Sequence, residues 1–371
     1  MHRILEKLQH DLLFLFTTGL FILFALFGRV NWASISWPTV ESLLALLGLV
    51  TLFQSLGLID ALADFFIEQA KTTRALVCAL YLLTFFSAMV VTNDVAILTF
   101  VPLTFALAKK VSLPVVKVAA MVTVYANLGS AISPLGNPQN IFLLAHYQGG
   151  LAEMLLPALL LFLLALCSLP FALKVIAKTE IEPIEQKTRI PSFTRFERLL
   201  LTFASLVVLL SLLSQTNLPG AVVIVFLLIL QFNAGSIKEI DYGVVFSILN
   251  FFLLVSVLIS LSPVHQFLLH IGADKLSLFF SASLSSQVIS NVPAAALLAP
   301  VTKHFTALYL GVSVGGFGTL VASLANLLAF RQVKANAEAR LRRDFLLVFT
   351  RYNLLFLFLG VALATLYLSF T

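Results

Sequence analysis

Charge is scarce in this chain. Of its 371 residues only 11% are Asp, Glu, Lys or Arg, against 60% hydrophobic and a mean hydropathy of +1.04. A soluble domain carries about 25% charged residues. A water-soluble globule is therefore excluded, because too few polar side chains remain to cover its surface. Cysteine is nearly absent. Cys78 and Cys167 both lie inside apolar runs and read as small packing residues, with no disulfide or metal framework. No His-Glu-x-x-His occurs, and an aspartyl dyad would need two intramembrane acids where one is available. A membrane-embedded enzyme is thus disfavoured, and no cofactor is expected. The net charge of +6 comes from basic residues in the loops, where topology explains them without nucleic acid.

What is present is a series of long apolar runs. A spanning helix needs about 20 residues, with about 17 to 25 tolerated. Stretches without Asp, Glu, Lys or Arg give spans at 12–28, 42–59, 154–173, 242–261 and 352–371. The first run ends at Gly28-Arg29 without a small-residue cleavage site and reads as a retained span. The run 199–237 is broken by Asn217-Leu218-Pro219-Gly220 and reads as two helices, 199–214 and 219–236. Four stretches do not fit simple spans. The run 75–93 stops at Asp94, and 95–108 is short. The stretch 276–302 carries Asn291 and Pro293. The runs 118–152 and 304–330 contain helix breakers at Ser133–Pro138 and Gly315–Gly318. Breaks at membrane depth are tolerated only where the backbone is buried in protein or lines a cavity.

If 75–108 and 275–302 are hairpins that enter and leave on one side, nine helices cross. The N-terminus then shares a side with 20 of the 23 Lys and Arg, and only Arg29, Lys275 and Lys303 lie opposite. The positive-inside rule predicts a cytoplasmic N-terminus and an extracytoplasmic C-terminus in a multi-pass plasma (inner) membrane protein. The basic segments 174–198 and 331–351 read as cytoplasmic loops. The segment 60–73, with Asp60, Asp64 and Glu68 beside Leu62, Phe65, Phe66 and Ile67, reads as an amphipathic arm on that face.

Two blocks recur in order. Thr92-Asn93-Asp94 is followed by Pro102, and Ser290-Asn291-Val292 by Pro300, each nine residues after the Asn. Downstream, 127–140 aligns without gaps on 313–326, matching Gly129 to Gly315 and Asn140 to Asn326. Three helices separate the halves, an odd number, so the second half is inverted. Paired interruptions in inverted halves mark a transporter's binding site. The predicted fold is all-α and integral to the membrane. It has two inverted repeats, each with a re-entrant helical hairpin and a broken transmembrane helix, about nine spanning helices plus two hairpins.

At these residues the sequence resembles the ion transporter superfamily, which includes citrate and dicarboxylate transporters, arsenite permeases and some sodium–proton antiporters. The phrases TNDVAILTFVP (92–102), SPLGNPQN (133–140) and SQVISNVP (286–293) carry the resemblance, which runs from about residue 40 to 330. It implies a homodimer whose transport domain slides like an elevator against a scaffold. By that analogy 1–73 and 179–272 hold the scaffold, with the arm and a cytoplasmic loop. The hairpins, broken helices and following spans at 74–178 and 273–371 form the transport domain. Sodium-coupled dicarboxylate members carry Ser-Asn-Thr at both tips. Here the third position is Asp94 in one tip and Val292 in the other.

The expected substrate or ion site gathers the tips and breaks. Thr92, Asn93, Asp94, Ser286, Ser290 and Asn291 come from the hairpins. Ser130, Ser133, Asn137, Asn140, Thr319, Ser323 and Asn326 come from the broken helices. Side-chain amides, freed carbonyls and positive helix N-termini supply the chemistry. Asn137-Pro138 fits an N-cap with Pro at the first helical position. Asp94 is the proton-coupling candidate, since an acid at the bilayer centre costs at least about 2.5–3.5 kcal/mol and is functional by default. The bland alternative for each residue is interhelical hydrogen bonding, worth about 0.6 kcal/mol in membranes. The reading is a secondary transporter of a small, anionic solute. Cation–proton antiport, arsenite efflux and a channel are the alternatives.

Overall fold

The structure, a computed structural model, describes residues 8–9, 11–90, 92–134, 136–147, 151–181, 191–214 and 216–371. Residues 1–7, Val91 in the first predicted tip, Leu135 in the first predicted break and 182–190 of the basic segment 174–198 lie outside the described residues. Among those described there are seventeen α-helices and three short 3-10 turns, and no named strand. Two compact units emerge. One takes Met1–Leu58 and Arg189–Phe267, the other Ile59–Thr188 and Leu268–Thr371.

The first unit holds α1 (Leu12–Ala25), α2 (Trp37–Ser55), α9 (Arg195–Ser214), α10 (Leu218–Asn233) and α11 (Tyr242–Ser260). Helix α11 packs on α1, and α10 packs on α2. Asp11 starts α1 by accepting the Phe14 N–H at 3.1 Å, satisfying one of the free donors at a helix start. Asn250 then donates to Thr18 Oγ1 at 2.8 Å and Thr17 Oγ1 at 3.2 Å, a polar contact that joins α11 to α1 where burial alone drives little association in lipid. Helices α9 and α10 leave Phe203, Leu210, Leu227 and Leu230 more than half exposed, an apolar surface suited to acyl chains.

The second unit contains the arm α3 (Leu58–Gln69), α4 (Thr73–Val90), α5 (Asn93–Ala108), α6 (Val115–Ile132), α7 (Pro138–Tyr147) and α8 (Leu151–Lys174). After α12 (Ser262–Gly272), which straddles the division, come α13 (Lys275–Ile289), α14 (Asn291–Leu298), α15 (Phe305–Gly315), α16 (Leu324–Asn336) and α17 (Ala339–Phe370). Helix α4 lies along α6, and α13 lies along α15. Helix α5 packs on α16 from the other half of the chain, and α14 packs on α7. Gly129 permits the first of these contacts. A Cβ there would meet the backbone carbonyl of Phe85 on α4. At Gly315, aligned with Gly129, an added Cβ would lie 2.9 Å from the Cα of Ser283, the position matching Phe85 when the tips are aligned on Asn93 and Asn291.

Seven helices among the described residues are long and apolar enough to cross a membrane. Five match predicted single crossings: Trp37–Ser55, Glu153–Lys174, Leu218–Lys238, Tyr242–Ser260 and Ala339–Phe370. Val115–Ile132 is the first piece of a predicted broken helix, and Thr73–Val90 is one arm of a predicted hairpin. The predicted run 12–28 is helical over the 14 residues of α1.

Two boundaries differ from expectation. The stretch 331–351 is not a loop: α16 runs to Asn336, and α17 starts at Ala339 and continues for 32 residues. At 1.5 Å per residue α17 is about 48 Å long, well beyond the hydrocarbon core of about 30 Å. Scanning for charge found where its apolar part begins, while Arg340, Arg342 and Arg343 extend the same helix outward. The run 42–59 divides at Gly57, whose φ of 70° ends α2 and starts the arm. The arm buries Ile59, Ala63, Asp64 and Ile67 and leaves Phe65 exposed. Asp64 pairs with Lys110 just beyond α5, and Asp60 lies 3.9 Å from Lys109.

Candidate functional site

Both predicted tips are breaks between helices, and both are built the same way. Thr92 precedes Asn93 with φ 127° and ψ 157°, and Ser290 precedes Asn291 with φ 73° and ψ 154°. This region belongs almost entirely to glycine, and other residues occupy it at a cost of about 1–3 kcal/mol each. Neither position is glycine. Such strain persists only where the surroundings over-determine the backbone, and it clusters at functional sites.

The breaks then receive the tips. The Asn93 N–H donates to the Gly136 carbonyl at 2.9 Å, and the Asn291 N–H donates to the Ala322 carbonyl at 3.0 Å. Gly136 and Ala322 are paired by the sequence alignment. The Asn140 amide donates to the Ser130 and Ser133 carbonyls at 3.1 and 2.9 Å. The Asn326 amide donates to the Gly316 and Thr319 carbonyls, again the aligned pair, at 2.9 and 3.0 Å. Each amide thus occupies carbonyls freed where its broken helix stops. Asn140 and Asn326 shape the breaks first.

Asn127 joins the two halves. Its amide donates to Asn326 Oδ1 at 2.7 Å, and its own oxygen accepts from Ser323 Oγ at 3.3 Å and Asn93 Nδ2 at 3.4 Å. Tyr309 on α15 donates to the Ala131 carbonyl at the end of α6, at 2.5 Å. Gln287, near the end of α13, latches that helix to the second break. Its amide donates to the Gly315 and Phe317 carbonyls at 2.8 and 3.0 Å, and its oxygen accepts the Thr319 N–H at 3.0 Å.

The predicted residues therefore separate by role. Asn93, Ser323 and Asn326 all bond to Asn127, whereas Asn140 bonds the Ser130 and Ser133 carbonyls at its own break. Asn291 and Ser290 are buried at the second tip, with Ser290 Oγ 3.4 Å from Asn291 Oδ1. Ser130 and Ser286 donate to carbonyls of their own helices, Asn127 at 3.0 Å and Ala282 at 2.8 Å. Asn137 is buried just before Pro138 opens α7, Ser133 is half-buried, and Thr319 is exposed. Asp94 is 7% exposed, and its Oδ1 has no partner in the protein.

Reading the sequence missed Asn127, Gln287, Tyr309 and Gln139. Three signals were available. Asn127 opens the aligned block, Gln287 stands inside SQVISNVP, and Gln139 stands inside SPLGNPQN. The sequence also holds Gly311-Val312-Ser313-Val314-Gly315, which has the letters of a Gly-x-Ser-x-Gly nucleophile motif. It lies inside helix α15 with Ser313 buried, whereas that motif needs a sharp strand-to-helix turn that exposes the serine. A surface concavity of about 340 Å³, lined by Glu153, Lys275, Lys303, His304 and Tyr367 among others, shares no lining residue with the tips.

A family model described as "Citrate transporter" matches residues 3–329. The chain belongs to the citrate transporter family. It is 31% identical over 346 residues to the inner membrane protein YbiR of Escherichia coli, covering 88% of this chain and 89% of that one. An uncharacterised transporter of Methanocaldococcus jannaschii, MJ0456, is 28% identical over 310 residues, 82% of this chain and 83% of its own. The crystal structure of the YdaH transporter of Alcanivorax borkumensis aligns over 100% of this chain and 99% of its own, at 14% identity and a TM-score of 0.48. Membership in the citrate transporter family bears out the resemblance to the ion transporter superfamily. With seven long apolar helices among its described residues, this member of the citrate transporter family is a multi-pass membrane transporter.

Proposed function

We propose that the chain is a secondary active transporter of a small anionic solute, working by an elevator-type alternating-access mechanism as a homodimer. Two inverted repeats, each a re-entrant hairpin and a broken helix, form its transport body. The observation that carries this reading is the matched bonding at the two tips. Asn93 to Gly136 and Asn291 to Ala322 are the same bond in two halves of the chain, at interruptions of the kind that build transporter sites. The four helices that start at the tips and breaks, α5, α7, α14 and α16, offer positive ends to an anion. Exchange of citrate, the solute in the family's description, is the first assay in proteoliposomes. Counterflow accelerated by citrate on the far side supports a carrier, and a channel shows none.

The orientation follows from the 20-to-3 distribution of basic residues, with the N-terminus in the cytoplasm and the C-terminus outside. Cysteine at Lys275 should react with an impermeant thiol reagent from outside, and cysteine at Lys117 only from the cytoplasm. The reverse pattern would invert the topology.

Asp94 is the residue we assign to proton coupling. Its carboxylate is buried, and one of its oxygens lacks a protein partner. A site that opens alternately to each side changes the hydration of such a group, so a proton is taken up on one side and released on the other. Asp94→Asn mimics the permanently protonated form. It should keep solute exchange and lose uptake driven by a pH gradient. If the Asn variant responds fully to the gradient, Asp94 is not the coupling group. The same unpartnered oxygen favours cation–proton antiport as the second reading. Sodium-driven proton movement without any anion would support that one.

A further inference from the structure

Gln139 stands on the first turn of α7, three residues beyond the Gly136 carbonyl that receives the Asn93 N–H. Its side chain is 1% exposed, and neither its Oε1 nor its Nε2 has a hydrogen-bond partner in the protein. Buried amides are normally paired, because a donor or acceptor removed from water without a partner is destabilising. Three more buried side-chain atoms of the first tip and break share this property: Asn93 Oδ1, Asp94 Oδ1 and Asn140 Oδ1. The second half lacks the set. Val292 and Ala325 stand where Asp94 and Gln139 stand, and Asn326 Oδ1 is taken by Asn127.

The balance of these atoms is informative. Three amide oxygens await a donor, one amide nitrogen awaits an acceptor, and the Asp94 oxygen accepts or donates according to its proton. The Asn93 and Asn291 N–H groups, which would suit an anion, already donate to Gly136 and Ala322. A fully ionised oxyanion has only acceptors and would set oxygen against oxygen at the three amide oxygens, and at Asp94 as well when that group is ionised. An oxyacid that keeps one acidic hydroxyl fits better. Its O–H donates to Gln139 Oε1 while its neighbouring oxo group accepts from Nε2, a planar two-point pairing with a primary amide.

We infer that Gln139 is a specificity-determining residue and that the site takes an oxyacid retaining one acidic hydroxyl. The solute then brings a proton with it on the first half's side of the site. This rests on the tips and breaks being the transport site.

The test uses the full chain in detergent at mildly acidic pH, with thermal stabilisation as the readout. The probes are two matched pairs of equal charge. Methylphosphonate monoanion carries a P–OH, and methanesulfonate has none. Malonamate carries a carboxamide in place of a protonated carboxyl, and monomethyl malonate has no donor there. The donor-bearing member of at least one pair should stabilise at a concentration about tenfold lower than its mate. That is well inside the range of sites that read a buried hydroxyl. Gln139→Met, similar in length and without the amide, should erase the difference while the protein stays folded. No preference in either pair, a preference that survives Gln139→Met, or stabilisation by sodium chloride alone overturns the inference. Asn93→Ala separates the two levels. Stabilisation that Asn93→Ala abolishes but Gln139→Met does not alter leaves the site standing and removes only this inference. Stabilisation indifferent to both variants removes the site reading as well.

Discussion

Alanine at Asn93 or at Asn291 is expected to abolish citrate counterflow while leaving a folded, membrane-inserted protein. The geometry separates the two effects. Each tip is held to its break by a backbone N–H, to Gly136 in one half and Ala322 in the other, and alanine keeps both bonds. Asn93→Ala removes the side-chain bond to Asn127 at 3.4 Å, and Asn291→Ala removes the contact with Ser290 at 3.4 Å. Both are long, and side-chain bonds between membrane helices are worth about 0.6 kcal/mol on average. The fold should tolerate either loss. A site built from two tips should not, because each Asn aligns its half for the solute. The measurement is counterflow in proteoliposomes, normalised to monodisperse protein. Near-normal rates in both variants would leave the packing role standing alone.

Gly129→Ala is expected to act on the fold. A Cβ at Gly129 would overlap the carbonyl of Phe85, and that atom is backbone within α4. Relief requires α4 to move away from α6, which opens this helix pair and leaves the tip at the end of α4 unsupported. Overpacking a tight interior costs about 1–3 kcal/mol and sometimes more. Here no flexible side chain can give way, so the upper end is expected, on the order of 3 kcal/mol. Gly315→Ala is the milder partner. Its Cβ would meet the Cβ and Oγ of Ser286 at 2.8 Å and the Ser283 Cα at 2.9 Å; only the hydroxyl can rotate away, but the closest overlap is less severe than at Gly129. The expected order of thermal midpoints is wild type, then Gly315→Ala, then Gly129→Ala. A wild-type midpoint for Gly129→Ala would mean that α4 and α6 are not in close contact.

The architecture was legible in the sequence where it depends on composition and on repeated breakers. Apolar run lengths located most of the long helices. The nine-residue spacing from Asn93 to Pro102 and from Asn291 to Pro300 pointed to the two tips. The gapless alignment of 127–140 on 313–326 put in register the carbonyls that the two Asn amides occupy, Ser130 with Gly316 and Ser133 with Thr319, but not the bonds themselves. Helix ends were less legible, because a helix that leaves the membrane keeps its backbone bonds while its side chains become charged, as α17 does. The strain at Thr92 and Ser290 could not be read at all. Neither residue signals a positive φ, and the surrounding packing imposes it. The bridging role of Asn127 was equally hidden, since it depends on α6 meeting Asn326 from a helix 199 residues away in sequence. Gln139 carries no mark in the repeat, because its aligned position holds Ala325, and only its burial without a partner sets it apart.

Alternating exposure of the tips and breaks is the central claim, and it can be measured without knowing the solute. Cys78 and Cys167 are replaced by Ala and Ser. Single cysteines are then placed at Ser133, half-buried in the first break, and at Ser290, buried at the second tip. A membrane-impermeant thiol reagent is applied from each side of oriented membranes. The account predicts that both positions label from both sides, because the same site faces each compartment in turn. Labelling of either position from one side only, or of neither from any side, would contradict it.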